Sequence, residues 1–384
     1  MKRVLFSGYA PVHFVCFPPV YKRLAEDPRI EMFLSGGFWR VREDPSFELD
    51  GFYDPFPVDR DRVIDVQQTR VEDFDVLICA HLSDRLFPRS AHRKVQIFHG
   101  VSFKNLAVRE KALRYDLLCL PGRYHAELYR RAGLIRPDGP TCLVTGFPKT
   151  DPLVGWGLDR DALLRSAGLD PARPTILFAA TGEKHNALET FGHEIIRAVS
   201  ERGTWNLLIK PHDHAKNAID WFKELARYEN GVVRLVRDLD VVPYLHAADL
   251  LVTDASSVAV EYTLLNRPII FMDVPHMFNK VRKRSPSLDL DTYGRKIGEV
   301  VKTPGELVDA VAEGLARPER QQEIRRAMAR HVFHSPGSAA DRVAGVIVHA
   351  AGLTPDLPDG VEVLQPEAAS VGHRQAEGAM DVDS

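Results

Sequence analysis

The sequence predicts an α/β protein made of two Rossmann-like, doubly wound parallel-sheet domains that face a central cleft. Three observations predict it. At 384 residues the chain exceeds the roughly 100 to 200 residues of a usual single domain. Short continuous apolar runs, the mark of strands buried on both faces, alternate with stretches of helical spacing. The alternation breaks once, across the Gly- and Pro-bearing stretch Gly146–Gly157, and then restarts.

In the first series the predicted strands are Arg3–Ser7, Ile30–Ser35, Val76–Ala80, Val95–Phe98, Leu117–Leu120 and Cys142–Thr145. Helical spacing lies between them, as in Val20–Ala25 and Arg123–Ala132. A charged helix predicted over Asp159–Ala167 opens the second series, whose expected strands are Thr175–Ala179, Trp205–Ile209, Val232–Leu235, Leu250–Val252 and Ile269–Met272. Helices are expected over Ala187–Glu201, Ala218–Arg227, Val241–Ala247, Val258–Leu265, Pro304–Ala316 and Pro318–Ala329. The pattern places one domain at 1–155 and the second at 160–335. A last helix, within 338–352, is expected to return to the first domain. The acidic tail 354–384 has little periodicity and is expected to be disordered.

Composition narrows the class of protein. With 45% hydrophobic and 27% charged residues the chain has the balance of an ordinary globular protein. It contains no run of about 18 apolar residues, so no membrane-spanning helix is expected. Two basic residues lead straight into a strand-like run at the N-terminus, so no signal peptide is expected. These features suit a cytoplasmic protein, at most peripheral at the inner face of the membrane. Cys16, Cys79, Cys119 and Cys142 have no metal-ligand spacing and read as buried thiols in a reducing compartment. The net charge of −3 conceals −6 on residues 354–384 and +3 on the rest. That weak positive bias suits an anionic ligand and does not point to nucleic acid.

Three segments carry the chemistry. The first, Phe98-His99-Gly100-Val101-Ser102-Phe103-Lys104, follows a strand, and a histidine at the carboxyl end of a parallel strand faces the crevice where open α/β sheets bind ligands. His99 is therefore a candidate general base, since imidazole titrates near neutrality; an isolated His-Gly pair also suits a simple loop cap. The second, Lys210-Pro211-His212-Asp213-His214, places a cation and a histidine at a strand edge, suited to a phosphate and a leaving group. A metal site at His212 and His214 lacks further ligands nearby, and a polar turn is the plain alternative. The third, Thr253-Asp254-Ala255-Ser256-Ser257 before a helical pattern, sets two hydroxyls where an anion meets free amides and a positive dipole end. Simple N-capping by those serines is compatible with that. Glu261, one turn on, is read either as a ribose ligand or as part of a solvated helix face. The run Lys280–Arg284 reads as a solvated loop, or as a contact for phosphate or an anionic membrane.

In order and spacing these segments resemble the CDP-glycerol glycerophosphotransferases, the teichoic-acid primases and polymerases of bacteria. The likeness rests on His99, Gly100 and Lys104, on the link Gly146-Phe147-Pro148-Lys149-Thr150-Asp151, and on the turn Ala180-Thr181-Gly182. It extends to His212 beside Pro211, to Thr253–Ser257 with Glu261 and Arg267-Pro268-Ile269-Ile270-Phe271, and to Gly337-Ser338-Ala339-Ala340-Asp341-Arg342. It spans roughly residues 95 to 345.

The resemblance implies a GT-B fold, a CDP-linked polyol-phosphate donor, and transfer to a hydroxyl of a polyol-phosphate, glycan or lipid-linked acceptor, with release of CMP and without metal or cofactor. By the same resemblance His99 is the base, while His212, Ser256 and Ser257 hold the pyrophosphate. Gly100, Lys104, Thr181, Lys210, Asp254, Glu261 and Arg284 complete the donor site. Ala255 stands where the family usually has tyrosine and Glu261 where aspartate is commoner, and the family's loop arginine aligns with Arg282, Arg284 or Arg295. A nucleotide-sugar glycosyltransferase would use the same sites. A nucleotide-sugar 2-epimerase would more often carry Asp-Ser-Gly-Gly at the helix start. A binding module that has lost its chemistry has no evident need of both His99 and His212.

Overall fold

The computed structural model describes residues 1–39, 47–48, 53, 59–155, 157–212, 219–285, 287–290 and 293–366. Asp213, His214 and residues 367–384 lie outside that set, and with them the rest of the His-Asp-His stretch and most of the acidic tail.

The two-sheet α/β architecture is the one predicted. The first sheet comprises β1 (Lys2–Gly8) and β2 (Ile30–Gly36), then, past a short antiparallel pair β3 (Phe38–Trp39) and β4 (Phe47–Glu48), the strands β5 (Val63–Ile64), β6 (Asp73–Cys79), β7 (Ser90–Gln96), β8 (Leu117–Leu120) and β9 (Thr141–Val144). The second comprises β10 (Thr175–Phe178), β11 (Asn206–Ile209), β12 (Val233–Leu235), β13 (Leu250–Thr253), β14 (Ile269–Met272) and β15 (Glu299–Val301). Its order is β12-β11-β10-β13-β14-β15, all parallel. Four of its strands, TILF, NLLI, LLVT and IIFM, are buried at every position. Each Leu, Ile or Phe so enclosed contributes about 1.5–3 kcal/mol of burial, and β-branched and aromatic residues fit the pleat.

Both sheets reverse their strand order once. In the second sheet the reversal falls between β10 and β13, and in the first, ordered β9-β8-β7-β6-β1-β2-β5, between β1 and β6. Loops leaving the carboxyl ends of strands on either side of such a point diverge and leave a crevice. That topology places the candidate residues. His99 follows β7, Thr181 and Gly182 follow β10, His212 follows β11, and Asp254–Ser257 follow β13.

The lobes are joined by a polar clasp. Both carboxylate oxygens of Asp151 accept amide hydrogens from the start of helix Ala339–Ala350: Gly337 at 2.9 Å, Ala339 at 3.1 Å and Ala340 at 2.7 Å. Arg342 in that helix donates to the carbonyls of Thr145 (2.6 Å), His334 (3.1 Å) and Ser335 (2.7 Å). Gly146 makes this possible, because at φ +90° a Cβ there would stand 2.6 Å from the His334 carbonyl. The helix then lies on helix Pro18–Leu24 and contributes Val343, Val346 and Ile347 to the core around Val4 and Phe6.

Two expectations are corrected. The chain just past Thr354 is ordered: β16 (Glu362–Leu364) pairs antiparallel with β9, Leu364 opposite Cys142, and covers an otherwise open sheet edge. Lys280–Arg284 is not a loop but the end of helix Pro275–Arg284, whose Met277, Phe278 and Val281 are buried. Its charges mask that apolar spacing, and cations at a helix C-terminus suit the dipole. Cys16, Cys79, Cys119 and Cys142 are buried free thiols. Among the described residues no helix is long and apolar enough to cross a membrane.

Candidate active site

The first lobe's contribution begins at His99. Phe98, at φ +58°, turns the chain sharply after β7, and its amide donates to Gln96 Oε1 at 2.7 Å. The turn presents His99 at the surface, with its Nδ1 2.5 Å from the Ala80 carbonyl oxygen. A carbonyl can only accept, so Nδ1 carries the hydrogen and Nε2 keeps its lone pair. Crowding by surrounding protein holds the imidazole pKa below its ordinary value, and the charges of Lys149 and Lys104 act in the same sense against the Ala80 carbonyl. His99 is thus a neutral base whose accepting nitrogen is unspent among the described residues.

Residues downstream of His99 cross to the second lobe. A Cβ on Gly100 would touch the Cβ and Oγ of Ser257 at 3.4 Å. Val101 and Phe103 are buried in the second lobe's core, where Phe103 packs edge-on to Phe271. Lys104 Nζ donates to Thr181 Oγ1 at 2.7 Å and lies 3.9 Å from Glu183; Glu183 also pairs with Arg284. Burial lowers the Lys104 pKa, opposed by Glu183 and Asp254. His212 lies over Gly182, where a Cβ would come within 2.8 Å of its Nδ1. His99, Gly100 and Lys104 are therefore gathered with Thr181, His212, Ser256 and Ser257 at one inter-lobe junction. Lys210 is buried, with Nζ 3.2 Å from the Pro211 carbonyl. Neither serine caps helix Val258–Tyr262 through its side chain.

Two residues expected to meet the donor are held elsewhere. Glu261 is neither a ribose ligand at the surface nor part of a solvated face. It is fully buried, with Lys149 Nζ 2.9 Å from each carboxylate oxygen. Burial pulls the Lys149 pKa down, but Glu261 leads the carboxylates and thiol that hold it above its ordinary value. Asp254 is fully buried too, accepting from the amides of Thr181 (2.9 Å), Ala187 (2.8 Å) and Ala255 (2.6 Å). Burial raises its pKa against those three donors. Its carboxylate is taken up by those amides and fixes the loops that carry Thr181 and Ser256. Of the three arginines, Arg295 is spent on Asp273 at 2.6 Å, whereas Arg284 pairs with Glu183, the carboxylate that lies 3.9 Å from Lys104.

Sequence reasoning missed a ring of side chains under His99. Tyr9 and His13 follow β1 and His81 follows β6, on either side of the first sheet's reversal point. The His13 ring lies 4.9 Å from that of His99 and 5.1 Å from that of His81, with Tyr9 4.5 Å from His13. The signal was present, since each sits just past a strand's carboxyl end, as His99 does. Among the described residues no group of three or more His, Cys, Asp or Glu is disposed to hold a metal ion. A separate hollow of about 360 Å³, lined by Leu158, Ala162, Pro243 and His246 among others, contains none of the residues of the junction.

Two Rossmann-like lobes whose carboxyl-edge loops meet across a crevice define a protein of the GT-B class. The chain belongs to the CDP-glycerol:poly(glycerophosphate) glycerophosphotransferase family, whose model matches residues 76–349. It is 27% identical over 206 residues to the teichoic acid poly(glycerol phosphate) polymerase of Staphylococcus epidermidis, covering 46% of this chain and 28% of that protein. It is also 27% identical over 161 residues to the teichoic acid glycerol-phosphate primase of Bacillus subtilis, covering 41% of this chain and 39% of the primase. The matches thus span well under half the length of these relatives. In fold it is similar to the wall teichoic acid polymerase TagF, with TM-score 0.67 and 18% identity over 92% of this chain and 89% of that one. It is also similar to a UDP-N-acetylglucosamine 2-epimerase, with TM-score 0.57 and 15% identity over 94% and 98%.

Proposed function

We propose that this chain transfers a glycerol-phosphate or related polyol-phosphate unit from a CDP-linked donor to an acceptor hydroxyl on a cell-envelope or capsule polymer precursor, releasing CMP. The acceptor oxygen bonds to the phosphorus that bears the polyol, and the bond from that phosphorus to the oxygen of CMP breaks with its electrons leaving on CMP. The hydroxyl proton goes to Nε2 of His99. His212, Ser256 and Ser257 hold the pyrophosphate, and Lys104 with Thr181 and Lys210 lines the donor side. Phosphoryl transfer asks mainly for positioning and charge stabilisation, which this set supplies from side chains alone.

The observation that carries the reading is the Nδ1–H bond of His99 to Ala80, which leaves Nε2 basic at the junction where Gly100 meets Ser257. The test is the nucleotide released. CMP from CDP-glycerol or CDP-ribitol in the presence of a glycerol-phosphate oligomer is the expected product. Release of UDP or GDP from a nucleotide sugar, with no CMP from either CDP-polyol, overturns the reading.

Peripheral binding at the inner face of the membrane belongs to the same proposal. It is supported by Lys280, Arg282, Lys283 and Arg284, all exposed at one helix end. Co-sedimentation with vesicles that requires anionic lipid, and weakens when those four are neutralised, is the expected result. Binding indifferent to both contradicts it.

A further inference from the structure

We propose that Tyr9, His13 and His81 form the acceptor subsite, a neutral pocket of hydrogen-bond donors that takes a polyol hydroxyl and holds it against Nε2 of His99. This rests on the preceding reading for the role of His99 and for the polyol acceptor.

Tyr9 and His13 leave β1 and His81 leaves β6, the two strands that flank the reversal point of the first sheet. That is where an open α/β sheet leaves a crevice. The donor-side loops occupy the corresponding place in the second sheet, after β10 and β13.

The Tyr9 amide donates to His13 Nδ1 at 3.2 Å, and the Ser83 amide donates to His81 Nδ1 at 3.1 Å. An amide N–H requires an accepting nitrogen, so both neutral rings carry their hydrogen on Nε2. His99 has the opposite tautomer, with Nε2 bare. The cluster thus combines two Nε2–H donors with one Nε2 acceptor, the set that a hydroxyl, itself donor and acceptor, matches.

His13 and His81 are each 2% exposed, and among the described residues His81 Nε2 has no hydrogen-bond partner. A buried orphan donor is costly unless a ligand meets it. Tyr9 is half-buried and His99 exposed, so these two lie nearer the surface than the two buried histidines. Burial, then the neighbouring histidines, holds His13 well below its ordinary pKa. The same burial, then His99, brings His81 to about 3. The donors are therefore uncharged, which suits a hydroxyl better than a phosphate. The nearby cation Lys149 is already bound to Glu261.

The test uses the intact chain with CDP-glycerol as donor and a glycerol-phosphate oligomer as acceptor. His81→Asn keeps an acceptor near the Nδ1 position for the Ser83 amide and deletes the Nε2–H. The acceptor KM should rise about tenfold, as for one lost hydrogen bond, while the donor KM moves by less than about twofold. His81→Gln, which restores an N–H near the Nε2 position, should recover most of the loss. Equal effects on both KM values, or none on the acceptor's, overturn the proposal; His13→Asn provides the same comparison should His81→Asn fold poorly. Separately, imidazole ¹H–¹⁵N spectra of the wild-type chain titrated with glycerol should show movement of the His13 and His81 Nε2 signals, and inorganic phosphate should leave them in place. Movement with phosphate alone, or with neither probe, overturns the proposal. A wild-type chain that releases no CMP yet shows the glycerol response sinks the functional reading and leaves the subsite standing.

Discussion

Lys149 Nζ sits 2.9 Å from both carboxylate oxygens of Glu261, with the lysine side chain 4% exposed and the glutamate fully buried. The pair ties the inter-lobe link to the helix that follows the donor-side serines. Removing one partner of such a pair leaves a charge in a dry interior, which costs about 3–5 kcal/mol. Lys149→Met should lose that much in urea unfolding. Lys149→Met with Glu261→Leu should recover most of it, because neither charge remains. A single variant within about 1 kcal/mol of wild type would show the pair to be much wetter than its burial implies.

His99→Ala should reduce turnover on the order of 10²- to 10⁴-fold, the usual contribution of a general base. Donor affinity, read by thermal shift with CDP-glycerol, should hardly change, because the residues proposed to hold the pyrophosphate, His212, Ser256 and Ser257, lie in the second lobe. Unimpaired turnover removes His99 from the mechanism.

Gly182 offers a test of His212 that leaves His212 in place. An added Cβ would stand 2.8 Å from its Nδ1 and 3.0 Å from Cγ and Cε1, so the ring has to move in Gly182→Ala. A displacement of about 1 Å at a reacting group costs on the order of 10²-fold in rate. The kcat for CMP release should fall by about that factor while the melting temperature shifts little. An unchanged kcat argues that the position of His212 does not matter.

The strands and their alternation were legible because buried parallel strands write themselves as short apolar runs, and TILF, NLLI and IIFM fall where they were expected. What escaped was any pairing at long range. Glu261 follows Val258-Ala259-Val260 and precedes Tyr262, an apolar setting that argues for a buried acid. Its partner Lys149 lies more than a hundred residues upstream, and nothing local announces it. Asp254 enters the donor site through the resemblance alone, and at a strand end an acid can equally bind backbone amides of a neighbouring loop. Helix Pro275–Arg284 was hidden because four charges in its last two turns outweigh three buried apolar residues in any local reading. Tyr9, His13 and His81 are brought together only by the strand order of the first sheet.

The clasp between Asp151 and the last helix makes a separate prediction. Asp151→Ala strands three amides at 337, 339 and 340 and removes the charge facing the positive end of a twelve-residue helix. Loss of an N-terminal cap costs about 0.5–2 kcal/mol. Amide exchange should quicken first in residues 339–350, ahead of the strands of the first sheet. Uniform acceleration across the chain would mean that the helix does not open on its own.

Stability should fall with acid through the buried histidines. His81 is held neutral to about pH 3 and His125 to about pH 4, in both cases chiefly by burial and then by a neighbouring histidine, whereas in the unfolded chain each titrates near 6.5. Between those limits the unfolded state binds more protons than the native one, so stability rises with pH through that window and is lost as pH falls below about 6.5. A histidine of this kind lowers stability by about 2 kcal/mol between pH 7 and pH 5. Urea unfolding at the two pH values should therefore show a drop to which His81 and His125 contribute additively, since each is compared only with its own unfolded value. Replacing His125, whose buried Nδ1 has no partner among the described residues, by Phe removes one titrating site and should flatten the dependence by about that 2 kcal/mol increment. An unchanged slope in His125→Phe would mean that His125 is protonated in the folded protein at pH 5.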